Sequence, residues 1–157
     1  MSNLKLQQAI ALLDGEPALT IAGLANVSSF IYHNFDNLNW AGFYLWTGEK
    51  LVLGPFNGQV ACTVIAYGKG VCGGALAQKQ TLVVPNVHDF EGHIACDSRS
   101  QSEIVVPLFL NDQPLGVLDI DSPILNRFSS EDKAFFEELA QNLVTICGKN
   151  MLKLVQN

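Results

Sequence analysis

The apolar pattern of this chain changes period twice, and that change limits the folds open to it. Leu4 to Leu13 and Leu19 to Phe35 carry apolar residues at helical spacing, among them Leu19, Leu24, Val27, Phe30 and Ile31, with Asp14-Gly-Glu-Pro17 between the two runs. From Asn39 to Leu53 two aromatic and aliphatic runs around Thr47-Gly-Glu-Lys50 predict a β-hairpin, followed by a turn at Gly54-Pro-Phe-Asn-Gly58. A strand is expected near Cys62 to Ile65, a short helix from Cys72 to Gln78 and a short strand from Thr81 to Val84. Glu103 to Leu110 and Leu115 to Asp121 predict a second hairpin across Asn111-Asp-Gln-Pro114. Helical spacing then returns. Ser129 or Ser130 can cap a final helix with Glu131 and Asp132 in its first turn, and Phe135, Leu139, Leu143, Ile146 and Leu152 form its apolar stripe. Helices at both ends and about six antiparallel strands between them predict an α+β sandwich. Its N- and C-terminal helices cover one sheet face and leave the other for loops and a pocket.

A chain of 157 residues with 48% apolar content is expected to form one domain over residues 1–157. Its net charge of −6 and its scattered basic residues offer no stripe to neutralise phosphates, so no nucleic-acid partner is expected. The start, Met-Ser-Asn-Leu-Lys-Leu-Gln-Gln, lacks the blocks of a signal peptide, and no apolar run reaches the roughly 20 residues of a membrane span. A cytoplasmic location without membrane attachment is therefore expected. In a reducing cytosol, four cysteines argue for metal binding, redox catalysis or burial rather than for a disulfide framework.

Three of those cysteines, Cys62, Cys72 and Cys96, sit in short Gly- and Ala-rich contexts at loops or element edges. Cys96 lies in the polar segment from Pro85 to Gln101, a long loop of the kind that usually carries function. Cys147 falls on the apolar side of the last helix, where burial explains it. His93 with Cys62, Cys72 and Cys96 could supply four zinc ligands, but no Cys-x-x-Cys pair anchors such a site, which favours redox work. Strand alternation places Trp40, Gly42, Tyr44 and Trp46 on one face, with a recess expected at the glycine, although aromatics on a sheet face also serve simply as core. Val117, Asp119 and Asp121 share a face, with the two carboxylates roughly 7 Å apart. That face could equally be solvent. Glu103 joins them if the second hairpin has a three-residue loop and leaves them if the loop has two. Three converging carboxylates would raise at least one pKa, leaving a protonated acid near neutral pH.

Together Asn39-Trp-Ala-Gly-Phe-Tyr44, Gly54-Pro-Phe, Ala61-Cys62, Gly70-Val-Cys72-Gly, Asp89-Phe-Glu-Gly-His-Ile-Ala-Cys96-Asp, Ser102-Glu-Ile-Val-Val-Pro107 and Gly116-Val-Leu-Asp-Ile-Asp121 resemble the free methionine-(R)-sulfoxide reductases, enzymes of GAF fold. The resemblance spans nearly the whole chain. It implies that Cys96 is the sulfur nucleophile, Cys62 the main resolving thiol and Cys72 an auxiliary thiol. It further implies that Glu103, Asp119 and Asp121 hold the polar groups of the substrate, Glu103 or Asp121 giving the proton, and that Trp40 and Tyr44 enclose its methyl group. The expected substrate is free methionine sulfoxide and the expected reductant thioredoxin, with no metal or organic cofactor. A homodimer through the terminal helices is compatible with the pattern. A GAF module that binds a small ligand without turning it over is the reading from another class, and such sensors usually sit in longer chains.

Overall fold

The computed structural model describes residues 3–94 and 96–155. Along the chain these form α1 (Asn3–Ile10), α2 (Thr20–Asn34), β1 (Trp40–Trp46), β2 (Lys50–Gly58), β3 (Val64–Ala66), α3 (Gly70–Gln78), β4 (Leu82–Val84), β5 (Ser102–Leu110), β6 (Gln113–Ser122) and α4 (Ser130–Met151). The strands make one antiparallel sheet in the order β3-β2-β1-β6-β5-β4. Helices α1, α2 and α4 bury Leu6, Leu24, Ile31, Phe136 and Leu143 against Phe43, Ile104, Leu118 and Ile120 of one face. Trp40, Tyr44, Val105 and Val117 point to the opposite face, where α3 packs with Val71, Cys72 and Leu76. The sandwich expected from the sequence is therefore present, with α3 and the loops on the pocket side. Cys147 is fully buried among the helices, as its position on α4 implies.

Helix α4 starts at a capping box: Ser129 Oγ accepts from the Asp132 amide at 3.1 Å and the Asp132 carboxylate accepts from the Ser129 amide at 2.8 Å. Arg127 donates to that same carboxylate at 2.9 Å.

Three local expectations change. Gly54 to Gly58 is not a turn but the second half of β2. The register moves from Gly42↔Phe56 to Tyr44↔Leu53, so Gly54 and Pro55 together face Phe43 in a bulge. A bulge tolerates a proline, which has no amide to give to the ladder, and the Pro55 carbonyl accepts from Ser28 Oγ of α2 at 3.2 Å. The recess expected at Gly42 is filled, because Phe56 occupies that space and stacks on Trp40 at 5.2 Å between ring centroids. Finally, β3 begins only at Val64, leaving Cys62 in the connection before it.

The second hairpin reaches the expected register by a different route. Leu110 pairs with Gln113 around a two-residue loop, with Asn111 in the left-handed region at φ 56°. That loop alone would turn Glu103 to the helix face. A bulge between the Phe109↔Pro114 and Leu108↔Gly116 pairs inserts Leu115, shifts the ladder by one residue and brings Glu103 opposite Asp121. Gly116 makes the bulge possible: its φ is 150°, and a side chain there would collide with the Tyr44 carbonyl and approach Leu45 Cα at 3.1 Å. Neither backbone atom can yield, so Gly116→Ala should destabilise the fold by about 3 kcal/mol, the scale of overpacking. Urea denaturation reads this directly, and an unchanged midpoint would show that the bulge tolerates a side chain.

Candidate active site

The register lines up side chains across the sheet. Trp40, Asp121, Glu103 and Val84 form one row, and Phe56, Gly42, Asp119, Val105 and Leu82 the next. Directly opposed antiparallel residues lie about 5 Å apart, so Glu103, Asp119 and Asp121 meet on one face. That face is not the solvent side: Glu103 is 6% exposed and Asp119 5%, while Asp121 is half-buried. All three line a cavity of about 40 Å³ with Trp40, Tyr44, Cys72, His93 and Cys96.

Burial pushes all three carboxyl groups above their usual range, Glu103 further through the charge of Asp121, Asp119 through Glu103 and Asp121 through Asp119. Glu103 lies within hydrogen-bonding reach of both aspartates. Two carboxyls can share a hydrogen bond only if one carries a proton, so at least one protonated acid belongs to this site. Asp119 Oδ1 is buried with no hydrogen-bond partner. An unpaired carboxyl oxygen of a residue lining a cavity is an open position for a donor or a cation.

The thiols come from three separate places. Cys62, before β3, and Cys96, in the long loop, form a disulfide with a Cα–Cα distance of 5.5 Å. Two of the four zinc donors considered from the sequence are thereby tied to each other. Cys72, in the first turn of α3, is a free thiol, 4% exposed. Burial and the Asp119 charge push its pKa well up, so it persists as a thiol rather than a thiolate. Among the described residues, Cys72 Sγ and one carboxylate oxygen each from Glu103 and Asp119 lie within 4.8 Å of one another, a geometry able to take a metal ion.

Several positioning contacts lie outside what the sequence pattern reveals. Tyr44 donates from its hydroxyl to the Cys62 carbonyl at 2.9 Å, and Trp40 Nε1 donates to the Gln59 carbonyl at 3.2 Å. The stacked aromatic pair, 5.9 Å between centroids, therefore holds the segment that presents Cys62. On the other side, Asn39 Nδ2 donates to Asp97 Oδ2 at 3.1 Å and to Ser100 Oγ at 3.0 Å. Arg99 pairs with Asp97 at 2.9 Å and, chiefly through its hydrogen bonds, holds that carboxyl down at about 2. The loop carrying Cys96 is thus anchored immediately after the cysteine. His93 Nε2 stands 3.6 Å from Glu103 Oε1, and burial lowers its pKa, keeping the imidazole neutral near pH 7. Asp97 beside Cys96 was the available signal for this anchor, but its partner Asn39 lies 58 residues away.

Residues 18–146 match the GAF domain family. The chain is 49% identical over 133 residues to the free methionine-R-sulfoxide reductase of Escherichia coli K12, covering 85% of this chain and 80% of that protein. It superposes with a TM-score of 0.86 on the Neisseria meningitidis free methionine-R-sulfoxide reductase in complex with its substrate, at 38% identity over 96% of this chain and 93% of that one. A Burkholderia vietnamiensis protein named as a GAF sensor superposes at 0.88, with 49% identity and 94% of each chain covered.

The buried carboxyls set a pH dependence. Below the usual carboxylate range both folded and unfolded chains are protonated and no penalty exists. As pH rises above it the unfolded chain ionises first, so stability falls until the raised folded pKa is reached. Asp119→Asn should remove part of that fall and raise stability at pH 8 more than at pH 4. Thermal unfolding of both proteins between pH 4 and pH 8 checks this, and parallel curves would remove the burial cost from Asp119.

Proposed function

We propose that this chain, which belongs to the GAF-domain family and within it to the free methionine-R-sulfoxide reductases, reduces free L-methionine-(R)-S-oxide to L-methionine. The observation that carries the reading is the Cys62–Cys96 disulfide, whose Cys96 lines a pocket with three carboxyls and two stacked aromatics. Cys96 is the nucleophile: its thiolate attacks the sulfoxide sulfur while Glu103 or Asp121 protonates the oxygen. The oxygen passes to Cys96, leaving methionine and a sulfenic acid. Cys62 then displaces that oxygen as water and closes the disulfide seen here. Cys72, too protonated to compete as a nucleophile, serves as an auxiliary thiol.

A dithiol protein, thioredoxin in this reading, restores both thiols by exchange and leaves carrying the disulfide itself. The reducing cytoplasm is the setting in which such a cycle runs. A homodimer through the terminal helices accompanies this reading, with Leu19 and Ile21 exposed where α2 begins. Trp40 and Tyr44 cover the substrate methyl group, and Glu103, Asp119 and Asp121 receive its ammonium group and oxygen. The unpartnered Asp119 Oδ1 supports that assignment. A cavity of about 40 Å³ holds only a few waters. The segment bearing Cys96 therefore has to move outward after reduction to admit an amino acid.

The second reading, a ligand sensor, is favoured by the Burkholderia vietnamiensis relative named as one. A sensor needs neither a redox pair nor a shared proton beside it, and turnover separates the two readings. Cys96→Ser should form no methionine from the R epimer, whereas Cys62→Ser should form about one equivalent per chain and then stall with thioredoxin. A burst from Cys96→Ser would reverse the two roles. The S epimer should react at least about a hundredfold more slowly, because it leaves a buried polar group unpaired. Equal epimer rates would contradict a single chiral pocket.

A further inference from the structure

Closing the Cys62–Cys96 disulfide leaves one thiol in the pocket, that of Cys72. Its Sγ faces carboxylate oxygens of Glu103 and Asp119, all within 4.8 Å of one another, and all three residues are buried. They come from α3, β5 and β6, so the cluster is held by the packing of the helix on the sheet rather than by a local run of sequence. Asp119 lines the cavity, and its Oδ1 is a sign of a missing partner, being buried with no hydrogen-bond partner of its own.

Magnesium and calcium favour sites built from oxygen ligands and water, whereas a thiolate joined by carboxylates is a donor set that zinc selects. We propose that this pocket binds one Zn²⁺ through Cys72, Glu103 and Asp119, and that the bound zinc excludes substrate. Binding moves no electrons and leaves the Cys62–Cys96 bond intact. The Cys72 thiol loses its proton to solvent as the Zn–S bond forms, and so does any carboxyl that carries one and becomes a ligand. The exclusion rests on the proposed function, since the metal takes the carboxylates assigned there to the substrate. The binding itself rests on the geometry alone.

The disulfide form is titrated with zinc chloride and, separately, magnesium chloride by calorimetry, beside Cys72→Ser and Asp119→Asn, each checked for folding by circular dichroism. The expected result is about one zinc per chain, no magnesium, and affinity for zinc weakened roughly tenfold or more in both variants, since even the loss of an outer-shell partner costs that much. Absence of zinc binding, or equal binding by Cys72→Ser, overturns the site. Zinc should also slow the burst of methionine formation by the reduced protein, and much less so in Cys72→Ser. Binding without slowing removes the exclusion. A protein that binds zinc in this way but turns over no sulfoxide loses the reductase reading and keeps the metal site. A reductase indifferent to zinc does the reverse.

Discussion

Holding three carboxyl groups side by side on a buried sheet face is the constraint on which the rest of this structure depends. In water these groups would ionise and repel one another. Here burial and mutual charge raise all three above their usual range, so that at least one stays protonated. Such a site works against the fold, so something else must keep it in place. The opposite face provides it: Ile104, Leu118 and Ile120 alternate with the acidic positions and, with Phe43, are locked under α1, α2 and α4. Because side chains alternate along a strand, burying Leu118 and Ile120 in the helix-side core obliges Asp119 and Asp121 to face the pocket.

Around that acidic row, each side of the pocket is fastened by a different kind of contact. The aromatic pair on β1 uses its apolar faces as a wall and its polar tips as tethers, so Trp40 and Tyr44 set the course of the chain into Cys62. The Asn39, Asp97 and Arg99 contacts do the same for the chain leaving Cys96. Two loops with little secondary structure are thereby brought to disulfide distance over the carboxyls. The chemistry proposed for the site needs this combination: a sulfur able to accept an oxygen, a second sulfur to displace it and an acid in between to move the proton. The same proximity gives Cys72, Glu103 and Asp119 the donor set of a soft cation.

Much of this was legible in the chain. Helical spacing in Leu19 to Phe35 reports which side of that helix is buried, since burial of one face is what imposes the period, whereas Trp40 to Trp46 is apolar throughout and is buried on both faces. The family was legible too, from the cysteine, aromatic and acidic motifs taken as a set, and the match to the E. coli relative bears it out. What misled was local: Gly54-Pro-Phe-Asn-Gly58 carries turn residues, yet the same residues suit a bulge, and only the pairing of β2 with β1 decides between them.

By itself the sequence determined most of the element types and the residues able to do thiol and acid chemistry, because these follow from side-chain identity and spacing along one strand or helix. The tertiary structure decided everything that depends on one segment meeting another. Whether Glu103 faces the aspartates turned on a one-residue bulge at Leu115, which needs Gly116 to pass under the Tyr44 carbonyl of a neighbouring strand. Whether Cys62 finds Cys96 rather than Cys72 turned on how the loops are tethered and on α3 holding Cys72 down among the carboxyls. Pairing across 34 residues of chain is a matter of register, closure and burial, and these are settled only when all the segments are packed at once.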